Sequence, residues 1–147
     1  MLGPAWVRSL DAGALCVTRS FLGGNPPAPD RVTNARLEIR RLFADFDPPR
    51  PDTALAAGGT ARAIGRVVGR RFGVDRLEEL AATLAGRRAE SVTESVGVTP
   101  DRARTLLGGT LVLAEVARRL GRDLEVARGG LREGAALALA RAEAAVA

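Results

Sequence analysis

An α/β domain with few strands and many helices is what this sequence predicts, and two observations carry the prediction. A short apolar run, a glycine turn and a helix follow one another twice, at 53–70 and at 123–146. Between these two units the apolar residues recur almost wholly at helical spacing. Together with an expected N-terminal hairpin, the pattern gives a short hairpin, two further strands and about six helices.

Taken in order, Trp6–Leu10 and Ala14–Leu22 read as two short strands around a turn at Asp11-Ala12-Gly13. In the second of these, Leu15, Val17 and Phe21 fall on one face and Thr18 and Ser20 on the other. Cys16 reads as a small apolar strand residue. GGNPPAP, residues 23–29, is a loop. From about Val32 to Phe46, Ala35, Ile39, Leu42, Phe43 and Phe46 form a helical stripe, with Arg36, Arg40 and Arg41 outside it. Pro48, Pro49 and Pro51 end that helix, because proline cannot continue the hydrogen-bond ladder.

The stretch Asp52–Gly73 reads as strand, glycine loop and helix. Thr53–Ala57 is uncharged and apolar, as a buried central strand would be. Gly58 and Gly59 break it. Ala61, Ile64, Val67 and Val68 then share one helical face, opposite Arg62, Arg66 and Arg70. Asp75 and Glu78 make a capping-box-like start to a helix whose buried stripe is Leu77, Leu80, Ala81 and Leu84 and which stops at Gly86. Arg87–Val96 is a further short helix closed by Gly97. Thr99-Pro100-Asp101 places an N-cap, a proline at the first helical position and an acid in the first turn of a helix reaching Leu120. Its inward positions are Ala103, Leu106, Leu107, Leu111, Ala114 and Ala117. Interior glycines cost about 0.5–1 kcal/mol each relative to alanine, so the pair Gly108-Gly109 predicts close approach by a neighbouring backbone or a local break. Asp123–Ala127 is a strand, Arg128-Gly129-Gly130 a turn, and Leu131 to about Val146 the last helix.

Composition narrows the chemistry. The 147 residues form one domain at most, and 46% of them are hydrophobic. The formal charge is +5, all of the cations being arginines, for there is no lysine or histidine, and tyrosine is absent too. A GC-rich coding sequence accounts for so much Arg, Ala and Gly without selection for a polyanion-binding surface. A single cysteine excludes an internal disulfide, and without histidine there is no Cys/His zinc site and no Ser-His-Asp triad. Catalysis would have to use carboxylates, arginines, backbone N–H groups or an oxygen-ligated metal. Glu38, Glu90, Glu94, Glu115 and Glu143 read as solvated helix faces, and no carboxylate pair stands out as acid and base. No apolar run approaches a membrane span of about 20 residues, and MLGPAWVRSL has no signal-peptide core, so the expected location is cytoplasmic.

The candidate site is the first glycine turn. Free N–H groups at a helix start attract anions, and Thr60 and Arg62 add a hydroxyl and a cation to Gly58 and Gly59. Neither the dinucleotide fingerprint nor a P-loop is present, so a plain strand-to-helix connection is the alternative reading. Arg132 and Glu133 are secondary candidates. Either they are ligand contacts, or Glu133 is favoured by the helix dipole while Arg132 ties down a loop.

AGGTARAIGRVVG, then TPDRARTLLGGTLVLAEVARRLG, then DLEVARGGLREG resemble in order and interval the exopolyphosphatase/guanosine pentaphosphate phosphatase family. The last segment is the most specific, and SLDAGALCVTRSFL is similar to a further family segment. The resemblance covers nearly the whole chain. It implies part of a ribonuclease-H-like lobe of the actin-like ATPase fold, the second of two lobes enclosing a cleft. It also implies magnesium-dependent hydrolysis of terminal phosphoanhydride bonds in polyphosphate or in a phosphorylated guanosine nucleotide. In that setting Gly58, Gly59, Thr60 and Arg62 would line the cleft.

The family's catalytic glutamate and its D-x-G-G-G-S phosphate loop have no counterpart in the sequence, which implies no catalytic residue and no metal ligand in this chain. The first strand of such a lobe would lie between the hairpin and strand 53–57. The expectation is therefore a partial domain, inactive alone, whose partner is a separately encoded first lobe or a second copy. The other function class open to the sequence is a non-catalytic, arginine-rich module for acidic partners such as RNA. With 3% aromatic residues and no tyrosine, it has little with which to stack bases.

Overall fold

The structure, a computed structural model, describes residues 5–144. The described residues form seven α-helices and a three-stranded mixed sheet. The strands are β1 (Ala54–Ala56), β2 (Arg71–Phe72) and β3 (Leu124–Val126), in the spatial order β1-β3-β2. β1 runs parallel to β3, with Ala54 opposite Leu124 and Ala56 opposite Val126, while β2 is antiparallel to β3.

The predicted hairpin is not formed. Residues 6–10 have no strand, and Ala14–Val17 is a helical turn, α1, that passes into a π-helical stretch over Thr18–Leu22. Ala12, Val17 and Leu22 are the buried residues here. Their spacing of five suits a wide helical turn and not the alternation of a strand. Thr18 Oγ1 donates to the Ala14 carbonyl at 2.7 Å, a bond that ties this turn together. Cys16 is exposed on α1 and is not in a strand.

Helix α2 (Pro29–Leu42) starts on a proline at its first turn, three residues before the predicted start. Ala35, Ile39 and Phe43 are buried as expected, whereas Leu42 is exposed. Phe46 stacks edge-on against Phe43 and Trp6, with ring centroids 5.2 and 5.5 Å away.

The sheet corrects the reading of Thr53–Ala57. β1 is an edge strand whose middle residue, Leu55, is 64% exposed, and the centre of the sheet is β3. A run of apolar residues cannot by itself separate an edge from a centre. β2 had no sequence signal at all: it is two residues long, and the bond from Val126 N to the Arg70 carbonyl at 2.8 Å fixes it against β3.

The remaining helices are α3 (Gly59–Val68), α4 (Val74–Ala85), α5 (Ala89–Val96), α6 (Pro100–Leu120) and α7 (Leu131–Ala144). The end of the predicted final helix, at Val146, lies outside the described residues. The predicted stripe of α4 is buried throughout, but its start is not a capping box. Gly73 is the N-cap without a side-chain bond, and Glu78 turns instead to Arg36 and Arg118. At α6 the expected cap is present, with Thr99 Oγ1 accepting from Arg102 N at 3.4 Å. All six predicted inward residues of α6 are buried.

Helix α6 is the spine of the molecule, packing against α1, α3, α4 and α5. Its two interior glycines each lie under a close neighbour, and the helix is unbroken. A Cβ on Gly108 would lie 2.9 Å from the Ala14 carbonyl oxygen, and one on Gly109 would overlap the Thr60 methyl group. Gly108→Ala is expected to destabilise the protein by about 1–2 kcal/mol despite the better helix propensity of alanine, because the obstacle is backbone that cannot turn aside. Urea unfolding of the variant beside the parent checks this.

Of the five glutamates expected on solvated faces, Glu90 and Glu94 are exposed and Glu38 is half-buried beside Arg41. The Glu143 side chain lies outside the described residues. Glu115 contradicts the expectation. It is 3% exposed, and its carboxylate pairs with Arg118 and, at 2.8 Å, with Arg119. Through Arg118 the cluster extends to Glu78 and Arg36.

Candidate functional site

Parallel pairing of β1 and β3 brings the two glycine turns side by side, because both strands deliver their chains to the same edge of the sheet. The junction is fixed by Ala127 N donating to the Ala56 carbonyl at 3.0 Å. Ligands of open parallel sheets collect at such carboxyl ends.

Gly58 has φ of 111°, a conformation that a residue with a Cβ rarely adopts, and it makes the turn from β1 into α3. Its carbonyl accepts the Arg62 N–H at 3.1 Å, starting the helix. The N–H groups of Gly59, Thr60 and Ala61 precede that first intrahelical bond and point out of the helix start. Thr60 is anchored from beneath by Gly109 and from the side by Arg102, whose Nη1 donates to Thr60 Oγ1 at 3.2 Å.

Arg102 is the site residue that sequence reasoning missed. It is 42 residues from Thr60 and sits in the first turn of α6. Its guanidinium lies over Gly59 so closely that a Cβ there would be 2.9 Å from Arg102 Cζ. Arg66, which the sequence places only in an outward row of arginines, is here as well. Its Nη1 donates to the Gly97 carbonyl at 3.2 Å. Gly59, Arg62, Arg66, Gly97 and Arg102 line a shallow hollow of about 300 Å³, whose lining includes three arginines and no carboxylate. A sequence signal for Arg102 exists only in part, as a cation just inside a capped helix.

Arg62 and Glu133 both lie beside the second turn. Glu133 Oε2 accepts the Gly130 N–H at 2.9 Å, and a Cβ on Gly130 would be 3.9 Å from Arg62 Nη1. The structure thus brings Gly58, Gly59, Thr60, Arg62 and Glu133 to one edge. Arg132 is exposed and makes no hydrogen bond or ion pair among the described residues.

Glu133 caps α7. Bonds from its own backbone N–H and from that of Gly130, with help from Arg62 and Arg132, hold its carboxyl below the usual glutamate value. Because the folded state favours the ionised form, the cap is complete above the ordinary glutamate pKa and fades as pH falls through the lowered one. The Gly130 amide resonance is expected to titrate with a midpoint below that of a free glutamate, and the titration is expected to vanish in Glu133→Gln.

These groups suit a polyvalent anion and not a cation. Magnesium, which the sequence resemblance implies, takes oxygen ligands with carboxylates among them. No group of three or more His, Cys, Asp or Glu side chains that could hold a metal occurs among the described residues. Glu133, the carboxylate at the adjoining turn, is engaged with Gly130. The residues present do not fit a magnesium ion by themselves, and what they offer is anion binding by N–H groups and guanidiniums.

No family model matches the chain. Exopolyphosphatase 1 of Mycobacterium leprae is 28% identical over 148 residues, covering 89% of this chain and 44% of that protein. Exopolyphosphatase 1 of Mycobacterium tuberculosis H37Rv is 29% identical over the same length, covering 89% and 43%. Among solved structures, the PPX-GPPA enzyme of Aquifex aeolicus superposes with a TM-score of 0.82 at 20% identity, over 91% of this chain and 49% of that one. An exopolyphosphatase from Cytophaga hutchinsonii gives 0.73 at 13% identity, over 88% and 48%. The chain spans less than half the length of each of these relatives. In sequence and in fold it resembles the exopolyphosphatase/guanosine pentaphosphate phosphatase (Ppx/GppA) family, over a stretch consistent with the C-terminal lobe.

Proposed function

We propose that this chain is one wall of the cleft of a phosphohydrolase that removes terminal phosphates from polyphosphate or guanosine pentaphosphate. The observation that carries the proposal is the glycine turn at the carboxyl end of β1, with Arg62 and Arg102 beside it, in a chain similar to exopolyphosphatases. The N–H groups of Gly59 and Thr60 would take phosphate oxygens. Arg102 and Arg62 would neutralise their charge, and the Thr60 hydroxyl, held by Arg102, would fix the register of the chain of phosphates. Arg132 has a looser role, as a cation at the rim. Magnesium and the group that activates water would come from polypeptide outside this sequence, so the chain is inactive alone.

In this proposal the single domain of residues 1–147 is part of a ribonuclease-H-like lobe working in the cytoplasm. Among the described residues no helix is long and apolar enough to cross a membrane. The free edge of β1 supports a role for a further polypeptide. It flanks a groove lined by Trp6, Pro48, Leu55, Val116 and Leu120, an apolar surface that a separately encoded first lobe or a second copy would cover.

Calorimetry with tripolyphosphate tests binding, and phosphate release from long-chain polyphosphate with magnesium tests activity. Saturable tripolyphosphate binding without turnover is the expected result. Turnover by the isolated chain would overturn the proposed inactivity. Salt-dependent RNA binding, with none of tripolyphosphate, would favour the arginine-rich module instead.

A further inference from the structure

We propose a second binding pocket, on the far side of α6 from Thr60, for a small amphipathic anion: an apolar, flat body carrying one phosphate or carboxylate. The pocket has a volume of about 310 Å³, at the lower end of the range for small-molecule sites. Its floor is apolar and comes from four elements: Leu22 of the π-helical stretch, Leu84 of α4, Val92 of α5, and Ala103 and Leu107 of α6. Arg19, Arg87 and Arg104 stand among its walls, and none of its lining residues is acidic.

None of these arginines is held in a close ion pair among the described residues. Among the described residues Arg19 has no ion pair, Arg87 donates to the Ser91 carbonyl, and Arg104 reaches Asp101 only at 3.8 Å with that aspartate almost fully exposed. The nearby carboxylate, Glu90, is engaged by Asn25 Nδ2 at 3.0 and 3.1 Å and by Arg88. Asn25 Oδ1 also accepts the Ala89 N–H at 2.7 Å. That double attachment fastens the 23–27 loop to the start of α5, so one wall of the pocket is built in advance.

A second, independent feature is the wall formed by Thr18–Leu22. A π-helical turn is rare and often marks a functional position, since it departs from the better-bonded α geometry. Here it turns Leu22 into the floor while Arg19 stays at the mouth. An apolar floor below a rim of guanidiniums with no acidic neighbour in the lining recognises both halves of an amphipathic anion, and neither half alone.

Calorimetry with 1-naphthyl phosphate, inorganic phosphate and 1-naphthol tests the pocket on the full chain. The expected result is one naphthyl phosphate per chain, bound at least tenfold more tightly than either fragment. Binding is expected to survive Arg102→Ala and to fall at least tenfold in the double variant Arg19→Gln/Arg104→Gln, whose sites are exposed. Amide shifts of the parent chain on adding the probe are expected at Leu22, Ala89, Val92 and Leu107. Absence of binding, equal binding of all three probes, or loss in Arg102→Ala with retention in the double variant would each overturn the proposal. The last result would place the probe at the phosphate turn.

Discussion

Arg102→Ala is expected to weaken tripolyphosphate binding about tenfold or more while shifting the urea midpoint little. A hydrogen bond between charged groups is worth roughly 1.5–3 kcal/mol, and about 1.4 kcal/mol is a factor of ten. In the proposed site Arg102 would act twice, directly through its guanidinium and indirectly through its hydrogen bond to the Thr60 hydroxyl. Its contribution to the fold is small, because it is half-exposed and touches Gly59, where there is no side chain to pack against. Gly59→Ala supplies the matching test. The added Cβ meets the end of a flexible side chain, so the protein folds, but Arg102 is displaced and affinity falls in the same direction. Unchanged affinity in both variants would remove the turn from the binding site.

Glu115→Ala is expected to cost about 3 kcal/mol in urea unfolding. The carboxylate is buried and receives two charged hydrogen bonds, from Arg118 and Arg119, both one turn further along α6. Loss of one partner of a buried pair typically costs about 3–5 kcal/mol. Here the two arginines are 38% and 31% exposed and can turn toward water, which keeps the cost at the low end. Arg118 also bonds Glu78, so part of the link between α4 and α6 is lost with it. Glu78→Ala in the Glu115→Ala background is expected to cost less than in the parent, because the two carboxylates share Arg118. Equal costs in both backgrounds would show that the two pairs are independent.

How much of this was legible beforehand differs from element to element. The stripes of α4 and α6 are legible residue by residue, because a long helix repeats its pattern often enough to fix its face. Thr99-Pro100 located the start of α6 through local chemistry alone. At α4 the same kind of local signal failed, since Glu78 had a stronger partner in Arg36 across the structure. The N-terminal segment failed for a related reason. Its weak alternation was outweighed by the fit of a helical turn against Gly108.

Periodicity, turn residues and capping chemistry depend on neighbours a few positions away, and they suffice for the order of elements, the helix faces and the glycine turn at 58–60. Strand order, the edge position of β1, the pairing of Glu78 with Arg118 and the meeting of Arg102 with Thr60 depend on residues some forty to seventy positions apart. No local pattern encodes such pairings. They are fixed when α6 packs against its neighbours, because that packing alone determines which long side chains come within reach of one another.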